Sequence, residues 1–145
     1  MGVGKSSVGG RLAAMLGMVH LDTDALIEAE TRTTISDIFN TRGEAWFRRM
    51  EARTIRRASR LNGTVISIGG GALMDQRNVD VLKRAGILVW LRATPESILA
   101  RLHAQGASCI AARPLLAGGA GLDRVRSLME MREKGYRQAD LVVDT

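Results

Sequence analysis

Apolar residues recur at helical spacing from Val8 to Leu16, where Val8, Leu12, Met15 and Leu16 follow directly on the glycine-rich run Gly2-Val3-Gly4-Lys5-Ser6-Ser7. A glycine loop that opens a helix is predicted there. After Gly17, the short apolar run Met18 to Leu21 ends in Asp22-Thr23-Asp24, and Ala25, Leu26, Ile27 and Glu28 resume a helical pattern. The two aspartates are therefore expected at the carboxyl end of a strand. Helices are predicted over Ile35 to Thr41, closed by Gly43, and over an arginine-rich stretch from Glu44 to Leu61 that stops at Asn62-Gly63. Thr64 to Ile68 reads as a buried strand running into Gly69-Gly70-Gly71, with a helix from about Arg77 to Arg84 beyond it.

Gly86 breaks that helix, and Ile87 to Leu91 is continuously apolar, as expected of a strand covered on both faces. Pro95 opens a helix over Glu96 to Ala104. A long loop rich in glycine and alanine, from Gln105 to Gly121, holds Arg113-Pro114. The pattern closes with a helix over Leu122 to Tyr136 and a last strand over Asp140 to Asp144. Strands that alternate with helices predict an α/β fold, a parallel sheet with right-handed crossovers, in one domain spanning residues 1–145.

Composition narrows the function. Apolar residues make up 46% of the 145 and charged residues 25%, enough for a packed core. One cysteine, Cys109, and two histidines, His20 and His103, assemble neither a disulfide framework nor a four-ligand zinc site. No apolar run reaches the roughly 18 residues of a membrane span and no secretory pattern opens the chain, so no membrane partner and a cytoplasmic location are expected. The net charge is +6, and 18 of the 21 basic residues are arginine. With only five aromatic residues and no recognition motif, a nucleic-acid reading of the arginine-rich helix is disfavoured.

The sharpest local chemistry is Gly4-Lys5-Ser6 at a helix start. In the pattern G-x-x-x-x-G-K-(S/T), backbone N–H groups and the helix's positive end cradle phosphates, the lysine reaches the outer phosphates and the hydroxyl holds a magnesium ion. Only the second half of that pattern lies within this chain. Met1-Gly2 with Ser6 also fits a myristoylation signal, but phosphate binding already explains the same residues. His20, His103 and Cys109 read as structural or incidental.

Taken together, Met1-Gly-Val-Gly-Lys-Ser6, Leu21-Asp-Thr-Asp24, Phe47-Arg48-x-x-Glu51, Gly69-Gly70-Gly71, Arg113-Pro114-Leu115-Leu116 and Arg132-x-x-x-Tyr136 resemble shikimate kinase in order and spacing. The resemblance implies a P-loop, nucleoside-monophosphate-kinase-like three-layer fold with a central parallel sheet. It implies transfer of the terminal phosphate of ATP, with Mg2+, to the 3-hydroxyl of shikimate, by a monomer.

In that resemblance Gly2, Val3, Gly4, Lys5, Ser6 and Ser7 surround the phosphates, with Lys5 on the transferred one. Ser6 ligates the metal and Asp22 supports it through water. Asp24 would orient, and help deprotonate, the attacking hydroxyl; a purely structural alternative is that Asp24 caps the next helix. Arg48 and Arg132 would clamp the substrate carboxylate, for which the planar guanidinium fork suits better than lysine, and Glu51 would hold Arg48. Gly69, Gly70 and Gly71 would admit the ring without an intervening Cβ. Arg113 would close over the phosphates from a lid at about 105–121, and Arg101 would pack on adenine. Two departures stand out: a longer spacing from Arg101 to Arg113, and Gly135 where the family commonly has proline.

The resemblance further implies a first strand ahead of residue 1, in the middle of the sheet, and a helix after Thr145. The chain is therefore expected to be a fragment or mis-started form of a longer protein. Two rivals are kept: a regulatory ligand-binding domain of the same fold without catalysis, and a kinase for another hydroxy acid of the gluconate type.

Overall fold

The computed structural model describes residues 2–104 and 121–145. Helix α1, Lys5–Leu16, is followed by β1, Val19–Asp22, and by helices α2, Thr23–Thr31, α3, Ile35–Arg42, and α4, Glu44–Ala58. Strand β2, Thr64–Ser67, leads through a 3₁₀ turn, Ala72–Met74, into α5, Gln76–Ala85. Then come β3, Val89–Arg92, α6, Pro95–Ala104, α7, Leu122–Tyr136, and β4, Leu141–Asp144.

All strand pairing is parallel, as the alternation predicts, but it forms two ladders rather than one sheet. β1 pairs with β2 in the register Val19↔Thr64 to Asp22↔Ser67, and β3 with β4 from Val89↔Leu141 to Arg92↔Asp144. Among the described residues no ladder joins β2 to β3. Between them opens a cavity of about 600 Å³, bordered by Val3, Lys5, Ile68, Gly69, Gly70 and the whole of β3.

This arrangement corrects the expectation for Ile87 to Leu91. The strand starts at Val89, while Ile87 is 74% exposed and Val89 41%. Among the described residues β3 is laddered to β4 alone, and Leu88, immediately before it, is the buried residue of the run.

Three apolar clusters hold the elements. Ile27, Ile38 and Phe47 join α2, α3 and α4; Ile55, Leu73, Val79, Leu82 and Leu88 join α4, the 3₁₀ turn and α5; Ile98, Leu102, Val125 and Leu128 join α6 and α7. Each fully buried aliphatic side chain contributes about 1.5–3 kcal/mol relative to exposure.

α1 departs from the expected amphipathic reading. Its stripe Val8, Leu12, Met15 and Leu16 is exposed, and the inner face is Gly9 and Ala13. Contact with the β1–β2 pair needs small residues: a Cβ on Gly9 would lie 2.7 Å from Ser67 Oγ and 2.8 Å from His20 Nε2. α4 ends at Ala58, three residues short of expectation, because the chain tightens into i→i−3 bonds, Arg60 N–H to Arg57 C=O and Leu61 N–H to Ala58 C=O.

Candidate active site

The glycine loop has the backbone geometry of an anion cup. Gly2 and Gly4 are left-handed, φ 63° and 85°, a conformation that carries little penalty only without a Cβ. Gly4 is the residue before α1, and no side chain caps that helix. Its first amide N–H groups and its positive end are therefore left to a ligand. Gly2 is buried against α6, where a Cβ would meet Ile98 and Leu102. Val3 and Lys5 border the larger cavity, and Ser6 and Ser7 are exposed on the first turn.

Asp22 ties this loop to the neighbouring helix. Ser6 Oγ donates to Asp22 Oδ2 at 2.6 Å, and Asp22 Oδ1 accepts from Asp24 N at 3.0 Å and Ala25 N at 3.4 Å. The cap of α2 is thus Asp22, so α2 begins at Thr23 and the structural alternative for Asp24 falls. A hydroxyl bonded to a carboxylate supplies two hard oxygen donors at the mouth of the cup, a fit for Mg2+ that also uses phosphate oxygens. Among the described residues no group of three or more His, Cys, Asp or Glu forms a separate metal cluster.

Asp24 stands free of the cap, half-buried, with Oδ1 enclosed and unpartnered. Burial pushes its carboxyl above the ordinary range of 3.8, the Asp22 charge adds to this, and Lys5 and Arg48 pull the other way. Lys5 and Asp24 are therefore within electrostatic reach of each other.

The opposite wall is built by α4 and α7. Arg48 Nη1 donates to Glu51 Oε2 at 2.7 Å, and Arg48 Nη2 to Glu44 Oε1 at 2.9 Å. Glu51 is 1% exposed, its Oε1 has no partner, and burial raises its pKa against the pull of Arg48. Arg132, from α7, is 7% exposed. Arg48, Glu51, Gly71 and Arg132 border a second cavity of about 450 Å³.

The triple glycine runs between these walls. A Cβ on Gly69 would collide with Glu51 Oε1 and come within 3.1 Å of Asp24 Oδ1, and one on Gly71 would lie 2.6 Å from Arg48 Nη2. Gly69 N–H donates to Thr23 Oγ1 at 3.2 Å, and Gly70 C=O accepts from Tyr136 Oη at 2.7 Å.

Sequence reasoning missed Thr23, which is wholly buried, and the reach of Tyr136. It also missed a bridge from β1 and β2 to the phosphate loop. Ser67 Oγ donates to Lys5 C=O at 3.2 Å and lies 2.9 Å from His20 Nε2. With the serine proton on the carbonyl, His20 Nε2–H must be the donor.

Arg101 lies on α6, the helix that packs on Gly2, and donates to Thr145 Oγ1 at 3.1 Å. Arg113 and almost all of the expected lid lie outside the described residues.

The family model described as shikimate kinase matches residues 1–145. The chain belongs to the shikimate kinase family. The shikimate kinase of Symbiobacterium thermophilum is 43% identical over 139 residues, 96% of this chain and 78% of the relative. That of Geobacter sulfurreducens is 41% identical over 145 residues, all of this chain and 77% of the relative.

Among solved structures, shikimate kinase from Acinetobacter baumannii in complex with shikimate superposes with a TM-score of 0.92 at 35% identity, covering 100% of this chain and 79% of that one. The Aquifex aeolicus shikimate kinase gives 0.81 at 32%, covering 99% and 82%. The three-layer P-loop kinase fold implied by the sequence is therefore the fold of this family member.

Proposed function

We infer that this chain phosphorylates the 3-hydroxyl of shikimate with ATP and Mg2+. One observation carries the assignment of the acceptor site. Two buried carboxylate oxygens, Asp24 Oδ1 and Glu51 Oε1, lack partners beside Gly69, with Lys5 on one side and two guanidinium groups on the other. Buried acceptors without donors call for a ligand that supplies them, and a polyhydroxy acid brings hydroxyl groups and a carboxylate together.

The roles follow from chemistry. Arg48 and Arg132 grip the carboxylate, with Glu51 and Glu44 fixing the fork of Arg48. Gly69 to Gly71 let the ring approach the backbone. Asp24 accepts the hydroxyl proton as the oxygen attacks, and its raised pKa brings it nearer to working pH as a base. The amides behind Gly4, with Lys5, hold the transferred phosphate in line with that oxygen. Ser6 and Asp22 would hold Mg2+, which would offset the charge on the phosphates. Arg113, and Arg101 on α6, complete the reading as the lid cation and the adenine-side residue.

The test is a coupled assay of ADP release. Release that requires both Mg2+-ATP and shikimate, and is absent with gluconate, supports the assignment. Phosphorylation of gluconate without response to shikimate overturns the substrate. ATP and shikimate binding with no turnover by the full-length protein would favour the regulatory reading. The paired arginines and the family match speak against both rivals.

A further inference from the structure

Tyr136 closes the last motif of the sequence, yet none of the roles above uses it. Its Oη donates to Gly70 C=O at 2.7 Å, across 66 residues of sequence. Gly70 is the middle of the turn whose flanking glycines leave no room for a Cβ beside Asp24, Glu51 and Arg48.

The ring itself is held independently of that hydroxyl. It lies against the Trp90 ring, with centroids 5.6 Å apart, and it packs on the Ile55–Leu88 cluster. Gly135, just before it, presses α7 onto the 3₁₀ turn, where a Cβ would come 2.5 Å from Leu73 O.

Arg132 lies one helical turn earlier on the same helix and borders the same cavity as Tyr136. Burial pushes the Tyr136 phenol up, and the charge and hydrogen bonding of Arg132 oppose this. The hydroxyl thus ties the glycine turn to the helix that carries Arg132 one turn earlier.

We propose that the Tyr136 hydroxyl is a positioning group: it fixes Gly70 and Arg132 relative to each other, so that ring and carboxylate are received in one geometry. This rests on the assignment of Arg132 to the substrate carboxylate. Tyr136 acts through two neighbours that belong to the acceptor side, so its removal should weaken shikimate binding and leave nucleotide binding alone.

Tyr136→Phe keeps the ring and deletes one hydroxyl. The expected result is a shikimate KM raised roughly five- to tenfold, the effect of losing one neutral hydrogen bond, with the KM for ATP and kcat within twofold of the parent. An unchanged shikimate KM overturns the proposal. So does an equal rise in both KM values, or a lowered melting temperature as the only change, since a purely structural role would do no more.

A second readout does not need the variant to fold. Tyr136 is the only tyrosine of the 145 residues, so growth on 3-fluorotyrosine labels one ring among them. A fluorine resonance that shifts on saturation with shikimate, and not with ATP alone, supports the proposal; a resonance indifferent to shikimate overturns it. If the unmodified chain shows no shikimate-dependent ADP release, the functional assignment fails, a result separate from any behaviour of Tyr136.

Discussion

Ser6 Oγ and Asp22 Oδ2 lie 2.6 Å apart, and the other oxygen of the same carboxylate closes the first turn of α2. One aspartate therefore caps a helix and would also serve the proposed metal end of the phosphate cup, and substitution can separate the two duties. Asn caps a helix as well as Asp does. Asp22→Asn should therefore melt within a degree or two of the parent yet need roughly 10- to 100-fold more Mg2+ for half-maximal rate. Asp22→Ala should in addition lose about 1 kcal/mol of stability with the cap. Magnesium titrations beside thermal melts decide this.

Asp24→Asn should lower kcat by at least about 100-fold, the lower end of what a positioned base contributes, while raising stability at neutral pH. The sign follows from the raised folded-state pKa. The unfolded carboxyl ionises near 3.8, the folded one later. Stability associated with this group is therefore intact below 3.8 and is lost as pH climbs through the higher folded value. The advantage of Asn should be full above that window and vanish toward acid. Urea unfolding from pH 3 to pH 8 measures it, and an Asn variant less stable than the parent at pH 7 contradicts it.

Arg48→Ala should weaken shikimate binding roughly ten- to hundredfold, as expected for losing a charge-assisted contact. It also strands Glu51, 1% exposed, without the Arg48 donor at 2.7 Å. A further loss of roughly 1–3 kcal/mol in stability is expected from that orphaned carboxylate. Adding Glu51→Gln should recover part of the stability and none of the binding. Calorimetry and denaturant unfolding on the single and double variants separate the two effects.

Gly135→Ala inverts the usual helix rule. Alanine in place of glycine inside a helix ordinarily adds up to about 1 kcal/mol. Here the new Cβ would meet the Leu73 carbonyl at 2.5 Å, backbone that cannot swing aside. A net loss of roughly 1–3 kcal/mol is expected, the range for overpacking, read as a lowered melting temperature.

Much of this molecule was legible in its sequence, and the failures share a cause. The glycine loop opening α1, the span Leu122–Tyr136 of α7 and the parallel pairing all follow from capping, periodicity and alternation. Periodicity reports where side chains are apolar and is silent about where their absence matters. Hence the apolar stripe of α1 does not mark its inner face: Gly9 and Ala13 are inside because they are small, while Met15 is 84% exposed.

The strand around Leu88 to Leu91 failed for a different reason. An apolar run shows that burial is favoured, whereas the number of neighbours is set by topology. The expected site residues Lys5, Asp22, Asp24, Arg48 and Arg132 come from motifs. The bonds from Gly69 to Thr23 and from Tyr136 to Gly70 span 46 and 66 residues, and no local pattern encodes them.

Arg132 and Leu128 border both cavities at once. A single guanidinium thus belongs to two compartments. Substitution of that one side chain would therefore reshape the lining of both at once.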